Sequence, residues 1–102
     1  MGEGMADEHL YIVTYDIADE RRWRAVFKLM HGYGEWLQLS VFQCRLTRQR
    51  HVEFLGRLQT LLNLADDHVM IIDVGPAENV EPRVQSLGKR GFDVIERKPV
   101  IV

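Results

Sequence analysis

A single cysteine, Cys44, among 102 residues excludes an internal disulfide and any zinc site built on several thiolates, and it suits a reducing compartment. The N-terminus, with Gly2, Glu3, Gly4, Asp7 and Glu8, has neither the positive start nor the apolar stretch of a signal peptide. No apolar run approaches the roughly 20 residues that cross a bilayer as a helix. A soluble, cytoplasmic protein with no membrane partner is therefore expected. Phosphate-loop, dinucleotide-binding and serine-hydrolase signatures are also missing, and Gly32-Tyr33-Gly34 is too short to replace them. His9, His31, His51 and His68 lack the spacing of metal-ligand pairs and read as surface or structural residues.

What the chain does have is an apolar content of 46%, enough for the core of one domain spanning residues 1–102. A domain of this size buries only about two-thirds of its unfolded surface, so a second copy is a natural source of further burial. The net charge of −2 argues against a generally basic coat for nucleic acid, but the average hides a division. Residues 1–20 hold acids and neither Lys nor Arg. Residues 21–57 hold Arg21, Arg22, Arg24, Lys28, Arg45, Arg48, Arg50 and Arg57 against only Glu35 and Glu53. A phosphate-binding face belongs there, with Arg21, Arg22, Arg24, Lys28 and Arg45 as candidate contacts; the bland alternative is a set of solvated helix faces.

Periodicity orders the elements. Leu10 to Asp16 alternates as a strand, with Tyr11, Val13 and Tyr15 on one side and Ile12, Thr14 and Asp16 on the other. From Asp19 to about His31, Trp23, Val26, Phe27 and Met30 recur at helical spacing before Gly32 and Gly34 offer a stop. Trp36 to Leu46 favours β structure and is expected to bend or split at Ser40. Thr47 caps a second helix with Val52, Leu55, Leu58 and Leu62 as its stripe, widened by Phe54 and Leu61, until Asp66 and Asp67 end it. His68 to Val74 is almost continuously apolar, as in a strand covered on both faces, and Gly75-Pro76 breaks it. Ala77 to Gly91 reads as a loop with one helical turn, and residues 92–102 as a terminal strand or tail, while residues 1–8 read as a flexible start. This order is α+β, a ferredoxin-like βαββαβ fold with an added C-terminal strand, with both helices on one sheet face and the other face free for a partner.

Asp16 carries the chemistry. A carboxylate at the C-terminal end of a strand, beside an arginine-rich helix start, can hold a hard cation next to a phosphate. The competing reading is a turn residue that accepts amide hydrogen bonds, although Asp19 already occupies the capping position. One carboxylate is a poor magnesium site, and Glu35, Asp66, Asp67 and Asp73 have no sequence reason to converge on it. A twofold homodimer would bring two copies of Asp16 together.

The segments Tyr15-Asp16-Ile17, Asp19-Glu20-Arg21-Arg22, a helix ending near Tyr33-Gly34, and Gln38-Leu39-Ser40-Val41-Phe42-Gln43-Cys44-Arg45-Leu46-Thr47, in that order and at this length, resemble the CRISPR-associated Cas-two family. The resemblance implies a ferredoxin-like homodimer in which Asp16 is the metal-linked catalytic carboxylate, Tyr15 an accessory beside it, and Ser40 and Phe42 associated with the site or the dimer contact. It implies Mg2+ or Mn2+ as cofactor, and a terminal strand that packs on the partner protomer or a larger complex. Two departures limit the transfer: Trp36-Leu37 stands where many relatives carry a basic residue, and residues 75–91 inherit no role.

The expected function is a CRISPR adaptation protein that works as a metal-dependent endonuclease on RNA or DNA, with the metal shared across the homodimer. The alternative is a non-catalytic scaffold dimer that binds duplex DNA and bridges CRISPR integrase subunits. A toxin-type endoribonuclease or a ferredoxin-like sensor module ranks behind both.

Overall fold

A computed structural model describes residues 8–78 and 80–88. All but the last residue of the flexible start expected over residues 1–8, and the whole terminal strand expected over residues 92–102, lie outside the described residues.

Strand β1 (His9–Asp16) alternates as its sequence requires, with Tyr11, Val13 and Tyr15 buried and Asp16 exposed. Helix α1 (Glu20–His31) starts at Asp19, whose side chain accepts from the Arg22 amide while its backbone stays extended, the geometry of an N-cap. The helix ends at Gly32, whose N–H reaches back to the carbonyls of Leu29 and Met30. Val26 and Met30 are buried, and Trp23 and Phe27 pack against the same core.

The β-rich stretch splits where Ser40 suggests. Strand β2 (Gly34–Gln38) and strand β3 (Val41–Leu46) form a hairpin through Leu39-Ser40. Leu39 takes the left-handed backbone, φ 35°, which an L side chain rarely adopts. Its carbonyl accepts from the Trp36 indole at 3.0 Å, one contact that holds the turn. At the other end of the hairpin, Gly34 lies so close to Gln43 and Cys44 that a β-carbon would fall 2.4 Å from the Gln43 carbonyl oxygen.

Helix α2 (Arg48–Leu61) is capped by Thr47, whose hydroxyl accepts from Arg50. Its buried positions are Phe54 and Leu58, whereas Val52 is 63% exposed. The expected stripe is therefore rotated: Phe54 and Leu58, four residues apart on one face, point at the sheet, and Val52 lies off that line. The helix also stops at Leu61, before Asp66 and Asp67.

Strand β4 (His68–Pro76) completes one antiparallel sheet of order β2-β3-β1-β4. Each helix bridges two strands with a third between them, the split βαβ arrangement of a ferredoxin-like fold. Two expectations for β4 need correction. The strand runs through Gly75-Pro76 instead of ending before it, because an edge tolerates a residue without N–H and Gly75 accepts φ 112°. It is also open on one face: Met70, Ile72 and Val74 are 48%, 45% and 52% exposed. Thr14 pairs with Met70, and Ile12 with Ile72, so these side chains share the sheet face that neither helix covers. Among the described residues of the stretch 77–88 no helix forms, although the Val80 amide donates to the Ala77 carbonyl at 3.1 Å; Ala77 is buried, and its carbonyl and that of Val80 accept from Arg45 at 3.1 and 2.7 Å.

Candidate functional site

Asp16 is the last residue of β1, paired with His68 at the start of β4 and exposed to solvent. Two neighbouring carboxylates account for the local hydrogen bonding, and Asp16 is not one of them. Asp19 takes the Arg22 amide as helix cap. Asp67 takes the Ala18 amide at 2.9 Å, the Asn63 amide at 2.9 Å, and the Arg22 guanidinium through Nε at 2.8 Å and Nη2 at 3.1 Å. Asp73 belongs to the far end of the sheet, with His9. No hydrogen bond or ion pair reaches the Asp16 carboxylate from the described residues. The turn-residue reading thus passes to Asp19 and Asp67, and Asp16 is left facing solvent.

The support behind Asp16 comes from the β2–β3 turn. The Ser40 carbonyl accepts from the Tyr15 amide at 3.2 Å, and the Ser40 hydroxyl accepts from the Trp23 indole at 3.0 Å. Ser40 therefore fixes the end of β1 to the first turns of α1. Tyr15 is buried between the rings of Trp23 and Phe42, with centroids 6.3 Å away in each case. Burial pushes the Tyr15 phenol well above its ordinary range, so it stays protonated and shapes the wall behind Asp16 without exchanging protons at neutral pH. Phe42 is fully buried and touches the site only through Tyr15.

The candidate basic contacts divide sharply. Arg22 is committed to Asp67, and Arg45 to the Ala77 and Val80 carbonyls with Glu81 at 3.6 Å. For these two, the structure gives a bracing place in the fold instead of an open phosphate contact. Arg24 pairs with Glu20 one helical turn away on an exposed face, a weak link that a phosphate can displace. Arg21 and Lys28 are exposed on α1 without an ion pair among the described residues.

Two residues of this site carried no sequence signal for their role. Trp23 looked like one apolar residue of a helical stripe, and Asp67 like a helix-ending acid. Only the fold brings Asp67 to the amide of Ala18, two residues from Asp16. The Arg22 hydrogen bonds first, then the Asn63 and Ala18 amides, hold its carboxyl well below the usual carboxylate range, and it is a brace with no free oxygen lone pairs to spare for a cation.

For a metal at this site, the described residues supply one suitable ligand, Asp16. Among the described residues no three His, Cys, Asp or Glu side chains lie together as a metal site. Asp16 is a suitable hard donor for a divalent ion, and the described residues bring no second carboxylate to it, so completing such a site requires further oxygens. No helix among the described residues is long and apolar enough to cross a membrane.

Residues 9–80 match the family model described as CRISPR associated protein Cas2. A CRISPR-associated endoribonuclease Cas2 of Geobacter sulfurreducens is 60% identical over 95 residues, which cover 93% of this chain and 99% of that one. A second, from Rhodospirillum rubrum, is 53% identical and covers 93% and 92%. The crystal structure of Streptococcus pyogenes Cas2 at pH 6.5 superposes with a TM-score of 0.67 at 33% identity, over 78% of this chain and 99% of that chain. A family model matched over residues 9–80, with relatives 60% and 53% identical along nearly their whole length, places this chain in the CRISPR-associated Cas2 family.

Proposed function

We propose that the protein is a metal-dependent endonuclease of CRISPR adaptation that cleaves phosphodiester bonds as a homodimer, with Asp16 of both protomers sharing Mg2+ or Mn2+. The observation that carries this reading is the exposed Asp16 carboxylate, which ends β1 and has no hydrogen-bond or ion-pair partner among the described residues. When bound, the ion supplies Lewis-acid polarisation of the phosphate and a more acidic water. The chain's own residues do the rest. Ser40 and Trp23 hold the end of β1 in place, Asp67 and Arg22 fix the turn that follows it, and the Tyr15 ring closes the site from behind. Arg21 and Arg24 stand in the first turns of α1, the helix that follows Asp16 in the chain, where they would neutralise phosphate oxygens. The exposed Met70 and Ile72, with the half-buried Ile12 beside them, give the open sheet face an apolar surface for the second protomer. The endoribonuclease names of the relatives favour RNA as substrate, with duplex DNA as the competitor.

The exposed Arg21, Arg24 and Lys28 also favour a second reading, in which the dimer holds duplex DNA for a CRISPR integrase subunit and Asp16 is dispensable. Affinity would then fall steeply with salt and ignore chelators. Cleavage of labelled single-stranded RNA and duplex DNA by wild type and Asp16→Asn, with Mg2+, Mn2+ or chelator, separates the two. Metal-dependent cutting that disappears in the variant supports the nuclease. Equal cutting, or salt-sensitive DNA binding without cutting, leaves the scaffold.

A further inference from the structure

At the opposite end of β1 from Asp16, a cleft of about 560 Å³ opens between β1, β4 and the first turn of α2, with Leu46 on β3 as part of its lining. His9 enters from β1, Arg48 and His51 from α2, and Asp73 from β4. His9 Nδ1 lies 2.8 and 3.1 Å from the two Asp73 oxygens, and Asp73 also accepts from the Gly75 amide at 2.9 Å. These contacts hold the Asp73 carboxyl, itself about half exposed in the cleft lining, below its ordinary range, and both of its oxygens lie against the His9 ring. The His51 ring stacks on Tyr11 at 4.6 Å and 6°, which fixes the imidazole in orientation. Arg48 is exposed and has no ion-pair partner among the described residues. It begins a helix of 14 residues, whose positive dipole end faces the same space. Neither the proposed metal site nor the open sheet face uses any of these groups.

We propose that this cleft is a second, metal-independent anion site that takes a phosphate group of a nucleic-acid strand. Arg48 supplies a planar fork of donors, and His51 and His9 supply ring N–H groups. Asp73 orients His9. Tyr11 holds His51 and is itself too buried to stack on a base. Every lining side chain that carries the site has the helix-side orientation of its strand or sits on α2, so a second protomer on the open sheet face leaves the cleft accessible.

The test uses sulfate, a dianion throughout the working pH range, as the small probe and a short duplex DNA as the strand. Histidine ring proton signals of the whole protein are followed by NMR at pH 6.5, with His31 and His68 as internal controls. Sulfate is expected to shift His9 and His51 saturably while the controls stay still, and Arg48→Ala is expected to weaken that binding about tenfold. Arg48→Glu, an exposed change that should leave the melting temperature intact, is expected to lower duplex affinity in wild type and in Asp16→Asn alike. Absence of sulfate shifts at His9 and His51 overturns the site. Sulfate shifts with duplex affinity unchanged by Arg48→Glu overturn its assignment to nucleic acid. A wild type that takes sulfate but binds no duplex counts against the strand assignment and the scaffold reading while leaving RNA cleavage at Asp16 untouched.

Discussion

The Arg22 guanidinium meets both oxygens of Asp67 side by side, at 2.8 and 3.1 Å, and the same carboxylate receives the amide of Ala18. A residue of the α2–β4 connection therefore holds both the first turn of α1 and the loop that leaves Asp16. The pair is a fixture of the fold, and its nearness to Asp16 makes it a fixture of the site as well.

Asp67→Asn should lower the melting temperature markedly at neutral pH and reduce activity at Asp16 in parallel, because the Ala18 loop loses its anchor. The folded Asp67 carboxyl lies below its unfolded value, so its stabilisation is complete above about pH 4, the ordinary carboxylate range. It declines as the pH falls through the folded-state value. Thermal melts of wild type and variant between pH 7 and pH 2 should converge towards the acid end; a constant gap across that range would contradict the assignment.

Gly34→Ala should destabilise the β2–β3 hairpin by about 2 kcal/mol, the usual cost of forcing a group into packed structure. The obstacle is the Gln43 carbonyl on the backbone of β3, which cannot swing aside as a side-chain tip can. Urea unfolding measures this directly, and a change within error of zero would show that the strands separate freely there.

Gly56→Ala should do the reverse. Gly56 lies inside α2 with open space where its β-carbon would sit, and alanine in an exposed helix interior is better than glycine by about 0.5–1 kcal/mol. The same urea titration should show a higher midpoint with an unchanged slope.

Cys44 should resist thiol reagents in the folded protein. It is buried against Tyr11 and the β2 backbone, and burial pushes its thiol up to about 12, so almost no thiolate exists at pH 8. Disulfide-exchange labelling should proceed at the rate of unfolding and accelerate in denaturant. Prompt native-state labelling would mean that the sheet opens locally.

Much of this arrangement was legible in the residues. The alternation of Tyr11, Val13 and Tyr15, the capping positions of Asp19 and Thr47, and the break at Ser40 each depend on neighbours a few positions away, and each stands where expected. Val52 misled because a leucine-rich helix offers several overlapping stripes, and only contact with the sheet selects Phe54 and Leu58. The apolar run of β4 misled for a related reason: it reads as a strand covered on both faces, whereas the two helices cover only one face and leave Met70, Ile72 and Val74 exposed. Asp67 and Arg22 are 45 residues apart, and nothing local in either segment announces their meeting.

Because side chains leave a strand on alternate sides, His9 and Asp16, seven positions apart on one strand, project in opposite directions at a separation of about 23 Å. The central strand therefore works as a double-ended strut whose tips are approached from different sides of the protein. What occupies one tip neither shields the other nor competes for its surroundings, and substitutions at the two ends should act additively.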